Sequence, residues 1–393
     1  MDKQLQGKAV LINALKKALT GLSLMLLMTA CTNIGGASKS STSLASFLGL
    51  SELPDWYLSN QFSYPDSQWI ENDFGLKLHY RDVGEGPVII LLHGEMSSLH
   101  TWEGWIDALS QDFRVIALDL PGSGLTGAPH CVSNPEDVCA ENLSEEYIEY
   151  TLQYFIEDLN LGRFSIIGSS YGGYLATRYA LKQPHRVDRL VLIAPMGYQQ
   201  DVPEVMSVMT SPGLDLLTQY IQPSTFISTI VDDLYGEREN INQANLERYI
   251  RLAQGDGAHE SNVRLLKLVR NLMDDGTLTP FEEIEQKTLI MWGELDTWGD
   301  VAHAERWDET IADSLLVKYP FLGHIPMEEK PVNTLPDLVA FFNDDPLPSI
   351  EGLGTGGTFT IKDAVDNLDQ ETLFGAPVAP EGSSDTEELE ELQ

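Results

Sequence analysis

Three residues that lie far apart along the chain have the types and settings of a nucleophilic site, and the first of them is a serine. Ser170 stands in the run Gly168-Ser169-Ser170-Tyr171-Gly172, a G-x-S-x-G pattern between an apolar stretch and a helix-like stretch. Glycines at these spacings permit the sharp, strained turn that exposes a serine hydroxyl. The start of the following helix then favours developing negative charge. The spacing predicts Ser170, rather than Ser169, as the nucleophile.

A serine nucleophile requires a base, and that base requires an orienting acid. His324 follows the last strand-like stretch, whereas His303 lies in a helix-like stretch and is expected to pack or to face solvent. Asp296 directly follows a buried strand-like run, and Asp300 is the nearest alternative. We predict Ser170, Asp296 and His324 as the catalytic residues, in the chain order Ser, Asp, His.

The elements that must position these residues alternate between strand and helix. Continuous apolar stretches separated by helices indicate a parallel sheet covered on both faces. The predicted fold is α/β, a mostly parallel twisted sheet flanked by helices. The predicted strands are Leu76–Tyr80, Val88–Leu92, Phe113–Leu118, Phe164–Ile167, Leu190–Ala194, Thr288–Trp292 and Ser314–Tyr319. Residues 198–286 lack a convincing strand and are predicted to form an inserted helical cap between core segments 51–197 and 287–342.

With these motifs in place, the sequence resembles the α/β-hydrolase family from about residue 67 to residue 342. His93-Gly94-Glu95 is similar to the oxyanion loop of that family, and Asp119-Leu120-Pro121-Gly122-Ser123-Gly124 matches its D-x-P-G-x-G turn. The resemblance implies that the backbone N–H groups of Glu95 and Tyr171 bind the oxyanion and that His93 supports the loop. The side chain of Glu95 is left open: it is a tuned group, faces solvent or makes a local bridge.

The nucleophile and the oxyanion loop narrow the expected reaction. Serine in place of aspartate argues against haloalkane dehalogenases and epoxide hydrolases, and the His-Gly-Glu-Met loop argues against proline iminopeptidases. We expect hydrolysis of a small carboxylic ester through an acyl-enzyme. Hydrolysis of C–C bonds or lactones, perhydrolysis and lipolysis use the same groups and remain alternatives. A non-enzymatic binding protein is disfavoured by the complete set of three residues. No metal or organic cofactor is implied.

The N-terminus has the layout of an export signal. Lys3, Lys8, Lys16 and Lys17 precede a mostly apolar run from Ala18 to Ala30, which is too short to span a bilayer. The run ends Leu27-Met28-Thr29-Ala30-Cys31, which resembles the lipobox of bacterial lipoproteins. We therefore expect residues 1–30 to be a signal peptide, Cys31 to be lipidated and residues 31–50 to be a flexible tether. The expected location is the bacterial cell envelope, with the chain anchored to a membrane outside the cytoplasm.

The remaining cysteines and the charge are consistent with export. Cys131 and Cys139 lie in one short loop, and in an oxidising compartment such a pair is predicted to form a disulfide. Metal binding is the alternative for this pair. The net charge of −36 disfavours nucleic-acid binding, since both surfaces would be anionic. Residues 343–393 are acidic and glycine-containing, and they are predicted to be a disordered tail. The oligomeric state is not indicated.

Overall fold

A single eight-stranded sheet organises the computed structural model, which describes residues 52–128 and 143–351. The strands are β1 (Ser67–Glu71), β2 (Lys77–Val83), β3 (Val88–Leu92), β4 (Arg114–Leu118), β5 (Phe164–Ser169), β6 (Val187–Ile193), β7 (Lys287–Gly293) and β8 (Ser314–Tyr319). Their spatial order is β1-β2-β4-β3-β5-β6-β7-β8. Strands β1 and β2 are antiparallel to their neighbours, and all other pairs are parallel. The predicted α/β fold class is confirmed.

The central strands are buried along most of their length because helices flank the sheet. All six residues of β5 are buried, as are the last four of β3 and of β4. This pattern is typical of parallel strands between two helical layers. Strand β1 was not predicted. Its sequence, SQWIE, is polar and only partly buried at the sheet edge, so it lacks the apolar signal of the interior strands.

Thirteen α-helices lie within the described ranges. They are α1 (Asp55–Phe62), α2 (Glu103–Leu109), α3 (Glu145–Asp158), α4 (Tyr171–Lys182), α5 (Glu204–Met209), α6 (Asp215–Thr218), α7 (Ser224–Leu234), α8 (Gln243–Leu252), α9 (Ala258–Asp275), α10 (Ala302–Thr310), α11 (Pro326–Glu329), α12 (Pro331–Asn343) and α13 (Pro348–Glu351). Helix α4 packs on β5 and β6, and helix α10 packs on β7 and β8.

The stretch between β6 and β7 contains helices α5 to α9 and no strand of the sheet. Helix α9, with 18 residues, runs from Ala258 to Asp275. Gly257 and Gly276 flank it with φ of +65° and +68°, a backbone that glycine adopts without a side-chain penalty. Helix α7 was not predicted.

The folded part of the chain continues past the point where the acidic tail was expected to begin. Asp344 accepts hydrogen bonds from Arg189 and Lys287, and the backbone N–H of Ser349 donates to Asp337 at 2.9 Å. Leu347 is buried. The predicted boundary at residue 343 was therefore wrong, because these contacts tie residues 344–349 to the core.

Several predictions fall outside the described residues. These are the signal peptide, Cys31 and its tether, the Cys131–Cys139 pair, and the tail beyond residue 351. Within the two described ranges, none of the helices combines the length and apolar character needed to cross a bilayer.

Candidate active site

Ser170 occupies a sharp turn between strand β5 and helix α4. Its φ of +53° and ψ of −118° lie in a region that non-glycine residues rarely adopt. A Cβ on Gly168 would come within 2.3 Å of the Gly172 carbonyl oxygen, and a Cβ on Gly172 within 2.3 Å of the Leu92 carbonyl oxygen. Both glycines of the G-x-S-x-G pattern are therefore required, because strand, turn and helix backbones approach each other closely.

Backbone hydrogen bonds from the end of β6 hold this strained turn. The Ser170 N–H donates to the Ile193 carbonyl oxygen at 2.8 Å. The Ser170 carbonyl oxygen accepts from the N–H of Tyr174 at 3.1 Å and from that of Met196 at 3.2 Å. The side chain of Ser170 thus projects from a backbone that is fixed on both sides.

Asp296 and His324 form a buried pair, as the sequence predicted for an acid and a base. Asp296 Oδ2 lies 2.7 Å from His324 Nδ1, and neither side chain is more than 4% exposed. The other oxygen, Oδ1, accepts from the backbone N–H groups of Trp298 and Gly299 at 2.8 Å each. These bonds orient the carboxylate, so that the Nδ1–H tautomer of His324 is favoured and Nε2 is left as the proton acceptor.

The surroundings of His324 favour its protonated form. Burial lowers its pKa, but the charge and hydrogen bond of Asp296 and the charge of Glu95 raise it, with a net increase above the ordinary value. Nε2 is buried and has no hydrogen-bond partner among the described residues. The ring therefore has a basic nitrogen that nothing else in the described part of the chain engages.

Contacts with the cap, which the sequence did not indicate, position the loop that carries His324. The His324 N–H donates to the carbonyl oxygen of Leu234, the last residue of helix α7, at 2.8 Å. The buried carboxylate of Glu329 accepts from the backbone N–H of Gly323 at 2.7 Å and from those of Gly236 and Glu237 at 3.0 Å each. Glu329 thus joins the histidine loop to the cap. No motif in the sequence distinguishes it from other acidic residues.

The oxyanion loop lies directly against the serine. A Cβ on Gly94 would approach the Cβ of Ser170 to 3.1 Å, and Met96 takes a φ of +57°. His93 is buried, with Nδ1 at 2.6 Å from the Gly94 carbonyl oxygen and Nε2 accepting from the Leu120 N–H at 3.0 Å. Both ring nitrogens of His93 are engaged in holding the loop.

The Glu95 side chain is turned inward, which excludes the solvent-facing alternative among those that the sequence left open for it. The residue is 8% exposed, and the Ser170 hydroxyl donates to its Oε2 at 3.3 Å. Burial raises the pKa of Glu95; the charge of His324, the backbone N–H groups of Glu95 and Tyr171, and the Ser170 hydroxyl oppose that increase. Glu95 is thereby linked to both Ser170 and His324.

Asp300 and His303, the alternatives to Asp296 as the acid and to His324 as the base, lie apart from these residues. Asp300 is exposed and accepts from the backbone N–H of Ala302 at 2.9 Å, at the start of helix α10. His303 packs against the ring of Tyr198, with centroids 5.6 Å apart. Among the described residues, no group of three or more His, Cys, Asp or Glu side chains could hold a metal ion.

A second serine–histidine–aspartate set involves the D-x-P-G-x-G turn. Ser67 Oγ lies 2.7 Å from His79 Nε2, and His79 Nδ1 lies 2.7 Å from Asp119 Oδ2. Asp119 also accepts from the backbone N–H of Leu99 at 2.7 Å and from that of Leu125 at 2.8 Å. His79 and Asp119 are fully buried. The sequence analysis did not identify this set.

Comparison with known proteins agrees with the fold. Residues 87–241 match the family model described as alpha/beta hydrolase fold. The chain is 25% identical over 256 residues to the 2-hydroxy-6-oxo-2,4-heptadienoate hydrolase of Pseudomonas putida, with 64% of this chain and 87% of that protein covered. It is 27% identical over 254 residues to the pimeloyl-[acyl-carrier protein] methyl ester esterase of Nitrosomonas europaea, with 63% and 93% covered.

A solved structure is similar over most of the chain. The meta-cleavage product hydrolase from Pseudomonas fluorescens superposes with a TM-score of 0.60 at 24% identity, covering 70% of this chain and 97% of that one. This likeness concerns the fold. The eight-stranded sheet, the family match over residues 87–241 and the two hydrolytic relatives together identify the chain as a hydrolase of the α/β-hydrolase type.

Proposed function

We propose that the chain is a serine hydrolase that cleaves a carboxylic ester through an acyl-enzyme, with Ser170 as nucleophile, His324 as base and Asp296 as orienting acid. The observation that carries the proposal is the buried Asp296–His324 pair, 2.7 Å apart, whose far nitrogen Nε2 is left without a partner in the described residues. The strained turn at Ser170 supports it.

In the proposed reaction, Ser170 Oγ attacks the carbonyl carbon of the ester while His324 Nε2 takes the hydroxyl proton. Asp296 stabilises the imidazolium, and the N–H groups of Glu95 and Tyr171 stabilise the oxyanion. Each such donor contributes about 3–4 kcal/mol in comparable sites. Collapse of the tetrahedral intermediate releases the alcohol, which receives the proton from His324. Water then repeats the sequence on the acyl-enzyme and releases the acid.

Covalent labelling tests the nucleophile. A fluorophosphonate probe should label the wild-type protein, and Ser170→Ala should abolish the label while leaving the unfolding transition unchanged. Ser169→Ala is the matched control, because Ser169 is adjacent and buried; that variant should retain the label. Labelling that persists in Ser170→Ala would assign the nucleophile to another residue.

A second candidate function, hydrolysis of a C–C bond, is favoured by the relative named 2-hydroxy-6-oxo-2,4-heptadienoate hydrolase. The esterase relative favours ester hydrolysis at a comparable identity. Turnover should therefore be measured on p-nitrophenyl esters of increasing acyl length and on a 2-hydroxy-6-oxo dienoate. Faster turnover of short esters supports the esterase, and a preference for long esters indicates a lipase. A higher kcat/KM on the dienoate would replace ester cleavage as the principal activity.

We further propose that the protein is exported and anchored to a bacterial membrane through a lipid on Cys31. The support is the sequence alone: a basic start, a thirteen-residue mostly apolar run and the Leu-Met-Thr-Ala-Cys end. In the host, Cys31→Ser should move the protein from the membrane fraction to the soluble fraction of the envelope. Wild-type protein found free in the periplasm or medium would contradict the anchor.

A further inference from the structure

The side chain of Glu95 occupies space beside the proposed nucleophile that a substrate would need. Ser170 and His324 are 2% and 3% exposed, and Glu95 closes the same region at 8% exposed. The Ser170 hydroxyl donates to Glu95 Oε2 at 3.3 Å, while His324 Nε2 has no partner among the described residues. In this arrangement the hydroxyl is directed to the carboxyl group rather than to the base.

The groups that act on the Glu95 carboxyl are those that would act on an oxyanion. Its own backbone N–H, the N–H of Tyr171 and the Ser170 hydroxyl all stabilise its ionised form. The N–H groups of Glu95 and Tyr171 are the two predicted oxyanion donors. A carboxylate oxygen carries the same charge and accepts the same kinds of hydrogen bond as the oxygen of a tetrahedral intermediate. With its Oε2 3.3 Å from the Ser170 hydroxyl oxygen, the Glu95 carboxyl therefore takes up space beside the serine that such an oxygen would need.

The titratable groups around this carboxyl come from three elements. His324, on the loop after β8, acts on it electrostatically, with Asp296 behind the imidazole ring. Tyr171, at the start of α4, has a phenol whose pKa is raised well above its ordinary value, by burial first and by the charges of Glu145 and of Glu95 among others. The increase that burial causes in the pKa of Glu95 is therefore opposed by the imidazole of His324 and by hydrogen-bond donors.

We propose that the Glu95 carboxyl group is a built-in occupant of the space between Ser170 and the predicted oxyanion donors, which a substrate carbonyl must displace and which returns to exclude the carboxylate product. The proposal rests on the esterase function above. Two carboxylates cannot lie side by side next to Ser170 unless they share a proton. The neutral carbonyl of an ester meets no such repulsion, so Glu95 discriminates between substrate and acid product.

Two consequences distinguish this role from simple packing. Removing the carboxyl group should strengthen the binding of ligands that place a negative oxygen in the hole, because they no longer compete with Glu95. The same removal should create product inhibition, since the released acid can remain on the N–H donors. A residue that only supported the loop would weaken both interactions when it was replaced.

The test compares Glu95→Ala and Glu95→Gln with the wild type, and it uses Glu294→Gln as the control because Glu294 is exposed. Fluorophosphonate labelling of Ser170 is measured first, because a wild-type protein that is not labelled would reject the esterase proposal itself. The inhibition constants of phenylboronic acid and of butyrate are then measured against p-nitrophenyl butyrate hydrolysis.

We expect Glu95→Ala to bind both inhibitors at least tenfold more tightly than the wild type, with Glu294→Gln unchanged. Glu95→Gln retains the shape but loses the charge, so its butyrate affinity should rise even if Glu95→Ala fails to fold. Unchanged or weaker inhibition in both labelled, folded Glu95 variants would overturn the proposal.

Discussion

Two serine–histidine–aspartate sets lie in the described part of the chain, and they differ in what surrounds the serine. In the set of Ser67, His79 and Asp119, both hydrogen bonds are complete at 2.7 Å. Ser67 begins the edge strand β1 and has ordinary strand backbone, and its Oγ also accepts from the Tyr64 N–H at 2.9 Å. Every polar atom along this chain of residues has a local partner.

The set of Ser170, His324 and Asp296 is incomplete by the same measure. Its aspartate and histidine are paired, but His324 Nε2 has no partner in the described residues and the serine hydroxyl donates to Glu95. Ser170 has a positive φ at the start of helix α4 and adjoins two predicted oxyanion donors. Hydrogen-bond distances alone would select the set of Ser67, contrary to the proposed function. A strained turn, an unpaired basic nitrogen and a place for negative charge are the features of a reacting site, whereas a fully satisfied network holds structure together.

The largest effect should separate the two serines. Ser170→Ala should lower kcat for a short p-nitrophenyl ester by roughly 10⁶, the scale seen when a nucleophile of this kind is removed. Ser67→Ala removes only a structural hydroxyl and should leave kcat within about twofold. Steady-state kinetics on both variants provides the comparison. Collapse of turnover in Ser67→Ala with normal turnover in Ser170→Ala would reverse the assignment of the two sets.

Asp296, the aspartate of the Ser170 set, and its nearest competitor Asp300 provide the next test. Asp296→Asn should lower kcat by an amount approaching roughly 10⁴, because the amide loses the charge and favours the wrong imidazole tautomer. Asp300→Asn, four residues away on the exposed start of α10, should cost little. Near-normal kcat in Asp296→Asn together with a collapse in Asp300→Asn would contradict the assignment of the acid.

The set of Ser67, His79 and Asp119 should instead control stability. Burial raises the pKa of Asp119, but the hydrogen bond from His79 and the charges of the neighbouring histidines lower it by more. The net result is a pKa of about 2. Because this folded-state pKa lies below the ordinary value, Asp119 stabilises the fold at neutral pH. That contribution should be lost as pH falls from about 4 towards 2.

The corresponding measurement is urea unfolding of Asp119→Asn. At pH 7 the free energy of unfolding should fall by about 3 kcal/mol, since one partner of a buried pair is lost. The difference from wild type should shrink in acid. An unfolding free energy equal to that of wild type at pH 7 would show that this network is not needed for stability.

The smallest expected effect is a shift in the pH dependence of kcat/KM. Acylation requires neutral His324, whose pKa is raised above the ordinary value, so the rate should fall as pH drops through that raised pKa. The charge of Glu95 contributes to the increase, and Glu95→Gln should therefore move the acid limb of kcat/KM to lower pH. The shift is read from pH–rate profiles of labelled, folded enzyme, with Glu294→Gln as control. An acid limb that moves to higher pH would mean that Glu95 does not favour the imidazolium.

The local patterns of the chain were sufficient for the strand-rich interior and for the serine turn. The stretches Val88–Leu92 and Phe164–Ile167 are almost entirely apolar, with Ser165 the one polar residue, because helices cover both faces of the sheet. This lack of alternation between apolar and polar residues is visible in the sequence itself. Strand β1 was missed because an edge strand with polar residues carries no such signal. The end of the fold was placed too early because Asp344 counts as tail-like by composition, although Arg189 and Lys287 bind it.

The sequence by itself determined the fold class, the glycine-flanked turn at Ser170 and the identity of the aspartate–histidine pair, since each depends on residue type and spacing along a short segment. Only the tertiary structure decided what Glu95 and Glu329 do. Both carboxylates contact segments that are distant in the chain, Ser170 for one and residues 236–237 of the cap for the other. From the sequence alone, a charged side chain is expected to face solvent. It becomes a buried hydrogen-bond acceptor only when folding brings donors from several elements around it.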